Sequence, residues 1–128
     1  MMMTRIAAVL GTAGALTLGL AGAASAAPSG GGCNDATLGR SFGEVCTFDS
    51  TANPFGGWYS GDGAPAATVR LGLRISDGRT LWTDPLPQAA NGGAVTRNWV
   101  EAPYQPGLCY TALVQIGGAE AAGPSICD

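Results

Sequence analysis

Residues 67–84 carry the pattern that most restricts how this chain can fold. Apolar and polar residues alternate over residues 67–75, and alternation of that length predicts a strand with one buried and one solvated face. Asp77-Gly78 follows, and this dipeptide is typical of a two-residue β-hairpin turn. Such a turn pairs Leu73 with Trp82 and places Trp82 on the buried face. The apolar positions of the strand are Val69, Leu71, Leu73 and Ile75.

Further short strands are predicted on both sides of this hairpin, at residues 42–48, 94–101, 108–116 and 124–127. Glycine, proline and asparagine separate them, and no helical period follows the N-terminal apolar run. Residues 53–63 contain too many glycines for a strand interior, so we expect a long loop there. Short strands with turn signals between them indicate an all-β domain, either a sandwich or a small barrel.

The N-terminal segment has the pattern of a secretion signal. Arg5 precedes an uncharged apolar run, and Ala24-Ser25-Ala26 supplies a small-x-small cleavage site. These features in this order predict a signal peptide cleaved after Ala26, with an uncleaved membrane anchor as the alternative. The predicted organisation is a signal peptide over residues 1–26, a flexible spacer over 27–32 and one secreted domain over 33–128.

Four cysteines in a chain predicted to be exported indicate two disulfides. Of the three possible connectivities we favour the local pairs, Cys33–Cys46 and Cys109–Cys127. A turn near Gly117-Gly118 would bring the second pair opposite each other on adjacent strands. The chain contains no Cys-x-x-Cys motif, which argues against a zinc or redox site.

The charged residues exclude several classes of function. The chain contains neither lysine nor histidine, and removal of residues 1–26 leaves five arginines and nine carboxylates, a side-chain charge of −4. We therefore expect no binding to nucleic acid and, after signal cleavage, none to a membrane. Without histidine a Ser-His-Asp or Cys-His site cannot form, and the commonest metal ligand is missing. We predict no cofactor and no metal.

Residues Pro106–Ile116 and Gly123–Ser125 resemble the last two strands of fibronectin type III and other immunoglobulin-like domains. A Pro-Gly turn precedes Tyr110, and small and β-branched residues continue the face of that tyrosine. The resemblance implies a small immunoglobulin-like β-sandwich, here stapled by two disulfides. It also implies an early-strand tryptophan, for which Trp58 and Trp82 are the candidates.

Trp58 and Tyr59 lie among glycines and are the best candidates for a partner-binding site. Aromatic rings on a Gly-rich loop can stack on a sugar or anchor a protein, and Asp62 nearby can accept hydrogen bonds. Trp99 and Tyr104 are further candidates for the same site. The alternative interpretation places Trp58 in the core at one end of the domain, since large aromatic residues are usually buried.

These observations predict a small secreted, non-catalytic β-sandwich that binds an extracellular protein or carbohydrate. The first alternative is an inhibitor that presents a rigid loop to a secreted hydrolase. The second is a hydrolase that uses two carboxylates. The acids available to it are Asp62, Asp77, Asp84 and Glu101. Arg70 and Arg74 share the solvated face of their strand and are predicted to keep that face soluble.

Overall fold

The computed structural model describes residues 28–128, and the predicted signal segment with its cleavage site lies outside them. Within this range all regular structure is β-strand, which confirms the all-β class. No helix in the described range is long and apolar enough to span a membrane. The strands are β1 Ser29–Gly30, β2 Gly32–Leu38, β3 Ser41–Phe48, β4 Phe55–Ser60, β5 Ala67–Ile75, β6 Thr80–Trp82, β7 Leu86–Gln88, β8 Ala94–Asn98, β9 Cys109–Ile116 and β10 Ala119–Cys127.

Two antiparallel sheets pack face to face. The first sheet has the strand order β1-β10-β9-β5-β6, and β7 also pairs with β5. The second has the order β2-β3-β4-β8, with β8 at one edge. Neither sheet closes on itself within residues 28–128. The protein is therefore a sandwich, and the small barrel is excluded.

The strand order is that of an immunoglobulin-like sandwich. In such domains strands A, B and E are neighbours in one sheet, and strands C, F and G in the other. Here β3-β4-β8 and β5-β9-β10 take these places, and β2 extends the A-strand edge. Near the start of β9, the Tyr110 hydroxyl accepts a hydrogen bond from the backbone N–H of Gln105 at 2.8 Å and donates to the carbonyl of Pro103 at 3.2 Å. This arrangement is the tyrosine corner of immunoglobulin-like folds.

The core lies between the inner faces of the two sheets. The alternating apolar positions of β5 are all buried, as the sequence pattern predicts. A Cβ atom on Gly56 of β4 would lie 2.8 Å from the Cβ of Ala112 on β9, so this glycine allows the two sheets to approach closely. The central buried side chains are Val45, Trp58, Val69, Leu71, Leu73, Ile75, Tyr110 and Val114.

The predicted register of the β5–β6 hairpin is wrong by one residue. Gly72, not Leu73, is opposite Trp82. The Gly78 N–H donates to the Ile75 carbonyl at 3.0 Å, and Gly78 has a φ of 102°. The connection is thus a three-residue loop that ends in a positive-φ glycine. Because a one-residue shift reverses the faces of a strand, Trp82 lies on the outer face, above Gly72.

Part of the segment predicted as a spacer, residues 27–32, lies in strands. Ser29–Gly30 pairs with β10 in the first sheet, whereas the strand that starts at Gly32 belongs to the second. Gly30, Gly31 and Gly32 all have positive φ, a region that favours glycine. The three glycines therefore carry the chain from one sheet to the other.

Both predicted disulfides are confirmed: Cys33–Cys46 and Cys109–Cys127. Each joins residues that are directly opposite on neighbouring antiparallel strands. Cys109–Cys127 lies in the first sheet and Cys33–Cys46 in the second, so each sheet has one covalent cross-link.

Candidate functional site

The sequence-predicted binding loop is a strand. Phe55–Ser60 forms β4, in the middle of the second sheet. Trp58 is fully buried, and its indole N–H donates to the side-chain oxygen of Gln88 at 2.8 Å. Trp58 therefore belongs to the core. Tyr59, the next residue, faces outward and is half-buried.

The other predicted site residues lie in three different settings, and the first of them, Asp62, is exposed in the turn that follows β4. Trp99 is buried in the core, and the guanidinium of Arg97 lies 5.0 Å from its ring centroid. Tyr104 is half-buried and packs edge-on against Tyr110, with ring centroids 5.3 Å apart. Burial raises the pKa of Tyr104. Trp58 and Trp99 are both buried and offer no surface to a partner in this fold.

A different group of aromatic side chains does share a surface, the outer face of the second sheet. Val45 is opposite Trp58 on the inner side, so the residues that alternate with them point away from the core. Four partly exposed aromatic residues lie at these outer positions of β3 and β4. This aromatic face consists of Phe42, Phe48, Phe55 and Tyr59.

Three rings of the aromatic face contact one another, and the fourth, Phe42, covers a glycine. The Phe48 ring lies 5.9 Å from that of Phe55 and 6.1 Å from that of Tyr59, with interplanar angles of 37° and 77°. A Cβ atom on Gly61 would lie 2.8 Å from the Phe42 ring, which therefore covers this glycine. Phe42 is nevertheless 40% exposed. The rings are held against the sheet and still offer apolar surface to solvent.

Cross-strand rows organise this face from one end to the other. Asp35, Glu44 and Tyr59 form one row, opposite each other on β2, β3 and β4. The next row contains the disulfide Cys33–Cys46, followed by Gly57 of β4. Phe48 and Phe55 are opposite each other beyond it. Acidic groups therefore lie at the Phe42 end of the face, and apolar rings dominate the other end.

A shallow groove of about 560 Å³ lies at the acidic end. Its lining includes the two aromatic residues Phe42 and Tyr59 and the two acidic residues Asp35 and Glu44. Burial raises the pKa of Tyr59, so its hydroxyl is neutral at physiological pH and can donate as well as accept a hydrogen bond.

The acids considered for a hydrolytic site lie at turns and loops. Asp77 accepts hydrogen bonds from the backbone and side chain of Arg79, and the backbone bond is the main cause of its lowered pKa. The pKa of Glu101 is also lowered, by its own backbone N–H and then by Arg97. A lowered pKa is the opposite of what a general acid needs.

Cys33, Cys46 and Glu44 come close enough together to suggest a metal site. The two sulfurs are bonded to each other in a disulfide, however. Neither can act as a thiolate ligand, because metal binding by cysteine requires the deprotonated thiol.

Three residues of the aromatic face were not among the predicted site residues: Phe42, Phe48 and Phe55. A signal was present, since Phe42 and Phe48 share one face of an eight-residue strand with Glu44, and a charged residue marks that face as solvated. Periodicity alone would nonetheless place the phenylalanines inside. Trp58 on the neighbouring strand occupies the core side, and its register with Val45 sends the phenylalanines outward.

Comparison with known proteins gives no further guide to the site. No family model, no curated protein and no solved structure matches this chain.

Proposed function

We propose that this protein is an exported, non-catalytic binding module that docks a protein partner on its aromatic face. The observation that carries the proposal is the group of partly exposed rings on the outer side of β3 and β4. A sheet with one face packed on the core normally presents polar side chains on the other. Contiguous apolar surface rimmed by polar groups is typical of interaction sites.

The ring geometry favours a protein partner over a carbohydrate. A sugar chain stacks its flat faces on rings that lie parallel to the surface. Phe48 and Tyr59 instead meet nearly at right angles, at 77°, so the face presents edges as well as flat surfaces. Such relief suits apolar side chains, and aromatic anchors supply much of the binding energy at protein interfaces.

Two features support export. The paired disulfides are characteristic of proteins that fold in an oxidising compartment. The N-terminal segment has the order of charge, apolar run and cleavage motif that directs secretion. The partner in this proposal is therefore extracellular or bound to the cell envelope.

Photo-crosslinking with a matched control tests the proposal. The chain from Ala27 onwards carries p-benzoylphenylalanine at position 48 in one variant and at position 82 in the other. Each variant is irradiated with culture medium and cell-wall fractions from the producing cells. Mass spectrometry identifies the protein captured from position 48, which is then purified and titrated calorimetrically.

The purified partner should lose affinity for Phe48→Ser/Phe55→Ser by about thirtyfold or more, the effect of removing an aromatic hot spot. Arg74→Ala, on the outer face of the first sheet, should bind like the unmodified chain. Thermal melts of both variants check that they are folded. Equal affinity of the double variant overturns the proposal, as does retention of the chain by a polysaccharide gel through these same phenylalanines.

A further inference from the structure

We infer that the groove between Phe42 and Tyr59 is an anchoring pocket for a basic side chain, an arginine or lysine of the docked partner. This inference rests on the proposed function and specifies the chemistry of the partner. The aromatic face supplies the apolar contact, and the groove supplies the charge that orients the partner on it.

The arrangement of the carboxylates carries the inference. Asp35 and Glu44 are directly opposite each other on β2 and β3, both exposed. Opposite residues of an antiparallel pair have Cβ atoms about 4.5–5.5 Å apart, and like charges at such positions destabilise the sheet. Within residues 28–128 neither carboxylate forms an ion pair; the recorded pairs are Arg79–Asp77 and Arg97–Glu101. Folding alone does not account for two adjacent uncompensated charges.

The surroundings of the carboxylates select an organic cation. Phe42 and Tyr59 line the same groove as both acids, and the negative faces of aromatic rings attract guanidinium and ammonium groups. A calcium ion needs six to eight oxygen ligands, whereas this groove offers two carboxylates and a few hydroxyl and backbone oxygens. An arginine can bond to a carboxylate and stack on a ring at the same time.

The size and position of the groove fit a side chain that projects from the docked partner. It lies beside the cross-strand row of Asp35, Glu44 and Tyr59. The Phe48–Phe55 pair lies on the same sheet face, two rows further along. A partner covering the phenylalanines would therefore extend over the groove.

Nuclear magnetic resonance titration with small probes tests the groove separately from the partner. N-acetyl-arginine amide is titrated into the ¹⁵N-labelled chain, and the citrulline analogue, which replaces the guanidinium by a neutral urea, is the matched control. The arginine probe should shift the amide signals of Phe42, Glu44, Tyr59 and Gly61. It should bind about tenfold more tightly than the citrulline probe, as expected for exposed ion pairs combined with a cation–π contact.

Two variants locate the binding. Asp35→Asn/Glu44→Gln should lose the preference for the arginine probe, whereas Glu120→Gln, an acid on the other sheet, should retain it. Equal binding of the two probes, or an unchanged preference in the Asp35/Glu44 variant, overturns the inference. Saturation of the same amides by calcium chloride at lower concentration also overturns it.

The partner identified by crosslinking provides the second readout. Asp35→Asn/Glu44→Gln should weaken its binding about tenfold at low salt and much less at high salt, because exposed charges are screened. A partner whose binding needs Phe48 and Phe55 but ignores the two acids overturns the cation pocket and leaves the proposed function standing. A groove that binds arginine while no partner depends on the phenylalanines supports the pocket and refutes the proposed docking of a protein.

Discussion

The outer faces of the two sheets each carry one disulfide but differ in the side chains that they expose to solvent. Each has one disulfide between directly opposite residues, Cys33–Cys46 on the second sheet and Cys109–Cys127 on the first. The first sheet presents Arg70 and Arg74. Trp82 is the one large aromatic side chain at the outer positions of β5 and β6, and it covers Gly72. The second sheet presents four rings and an uncompensated acidic pair.

The two outer faces differ in how far their aromatic side chains are packed against the rest of the domain. Trp82 lies 5.3 Å from the guanidinium of Arg70 and fills the space above a glycine, so its apolar surface is satisfied within the domain. On the aromatic face Phe48 contacts Phe55 and Tyr59, and Phe42 is 40% exposed. Exposed rings that nothing in the domain covers are the better candidates for a partner.

The largest expected effect separates a core tryptophan from a surface one. Trp58→Ala should lower the free energy of unfolding by about 3–5 kcal/mol, because it removes a fully buried ring and leaves the side-chain oxygen of Gln88 without its donor. Trp82→Ala removes a half-buried ring and should cost about 1–2 kcal/mol. Urea denaturation followed by circular dichroism measures both. Equal losses would mean that Trp82 is as much a part of the core as Trp58.

Removing each disulfide in turn compares the two sheets, because the two removals should lower the free energy of unfolding by similar amounts. The bridged residues are 13 and 18 apart in sequence, and closing loops of these lengths contributes about 3 kcal/mol to stability. Cys33→Ala/Cys46→Ala and Cys109→Ala/Cys127→Ala should therefore lose similar free energies of unfolding. Only the first lies within the aromatic face, so only the first should also weaken partner binding. Equal weakening by both would show that binding follows stability.

Local pattern predicted much of this architecture from the sequence. The alternation of apolar and polar residues in β5 predicted which face of this strand is buried. The predicted export of the chain and the predicted strand positions of the cysteines indicated both disulfide pairs. The sequence pattern of one strand does not show which of its faces is buried when both faces carry apolar residues. Phe42 and Phe48 lie outside because Val45, on the other face of β3, is paired with the buried Trp58 of β4. The glycines around Trp58 indicated a loop, although Gly56 instead allows close packing of the sheets.

The register of the β5–β6 hairpin was the second feature that the sequence did not predict, and this register places Trp82 on the outer face. Asp77-Gly78 permits both a two-residue and a three-residue connection. The chosen turn depends on interactions beyond the dipeptide, including the Ser76 N–H to Cys109 carbonyl bond of 3.0 Å. Cross-strand positions of this kind also define the candidate groove, because Asp35, Glu44 and Tyr59 are distant in sequence and meet only through strand pairing.

The smallest expected effects concern single charges and have opposite signs on the two sheets. Asp77, in the β5–β6 connection, has a lowered pKa because the Arg79 backbone N–H and then its guanidinium favour the carboxylate. A lowered folded-state pKa contributes stability above the unfolded value of about 3.9, and this stability is lost as pH falls through the folded value. Asp77→Asn keeps a good turn sequence. Its melting temperature should be slightly below that of the unmodified chain at pH 7, and the difference should shrink as the pH falls below about 3.9.

Glu44→Gln should act in the other direction, since it removes one of two like charges at directly opposite positions. The expected gain is a few tenths of a kcal/mol, the scale of a cross-strand charge pair, which corresponds to about 1–3 °C in a domain of this size. Salt at about 1 M should abolish the gain, because the Debye length is then about 3 Å and the repulsion is already screened. A thermal melt at low and high salt measures it. A loss of stability at low salt would mean that Glu44 is compensated within the fold, and the acidic pair would then give no reason to expect a cationic partner.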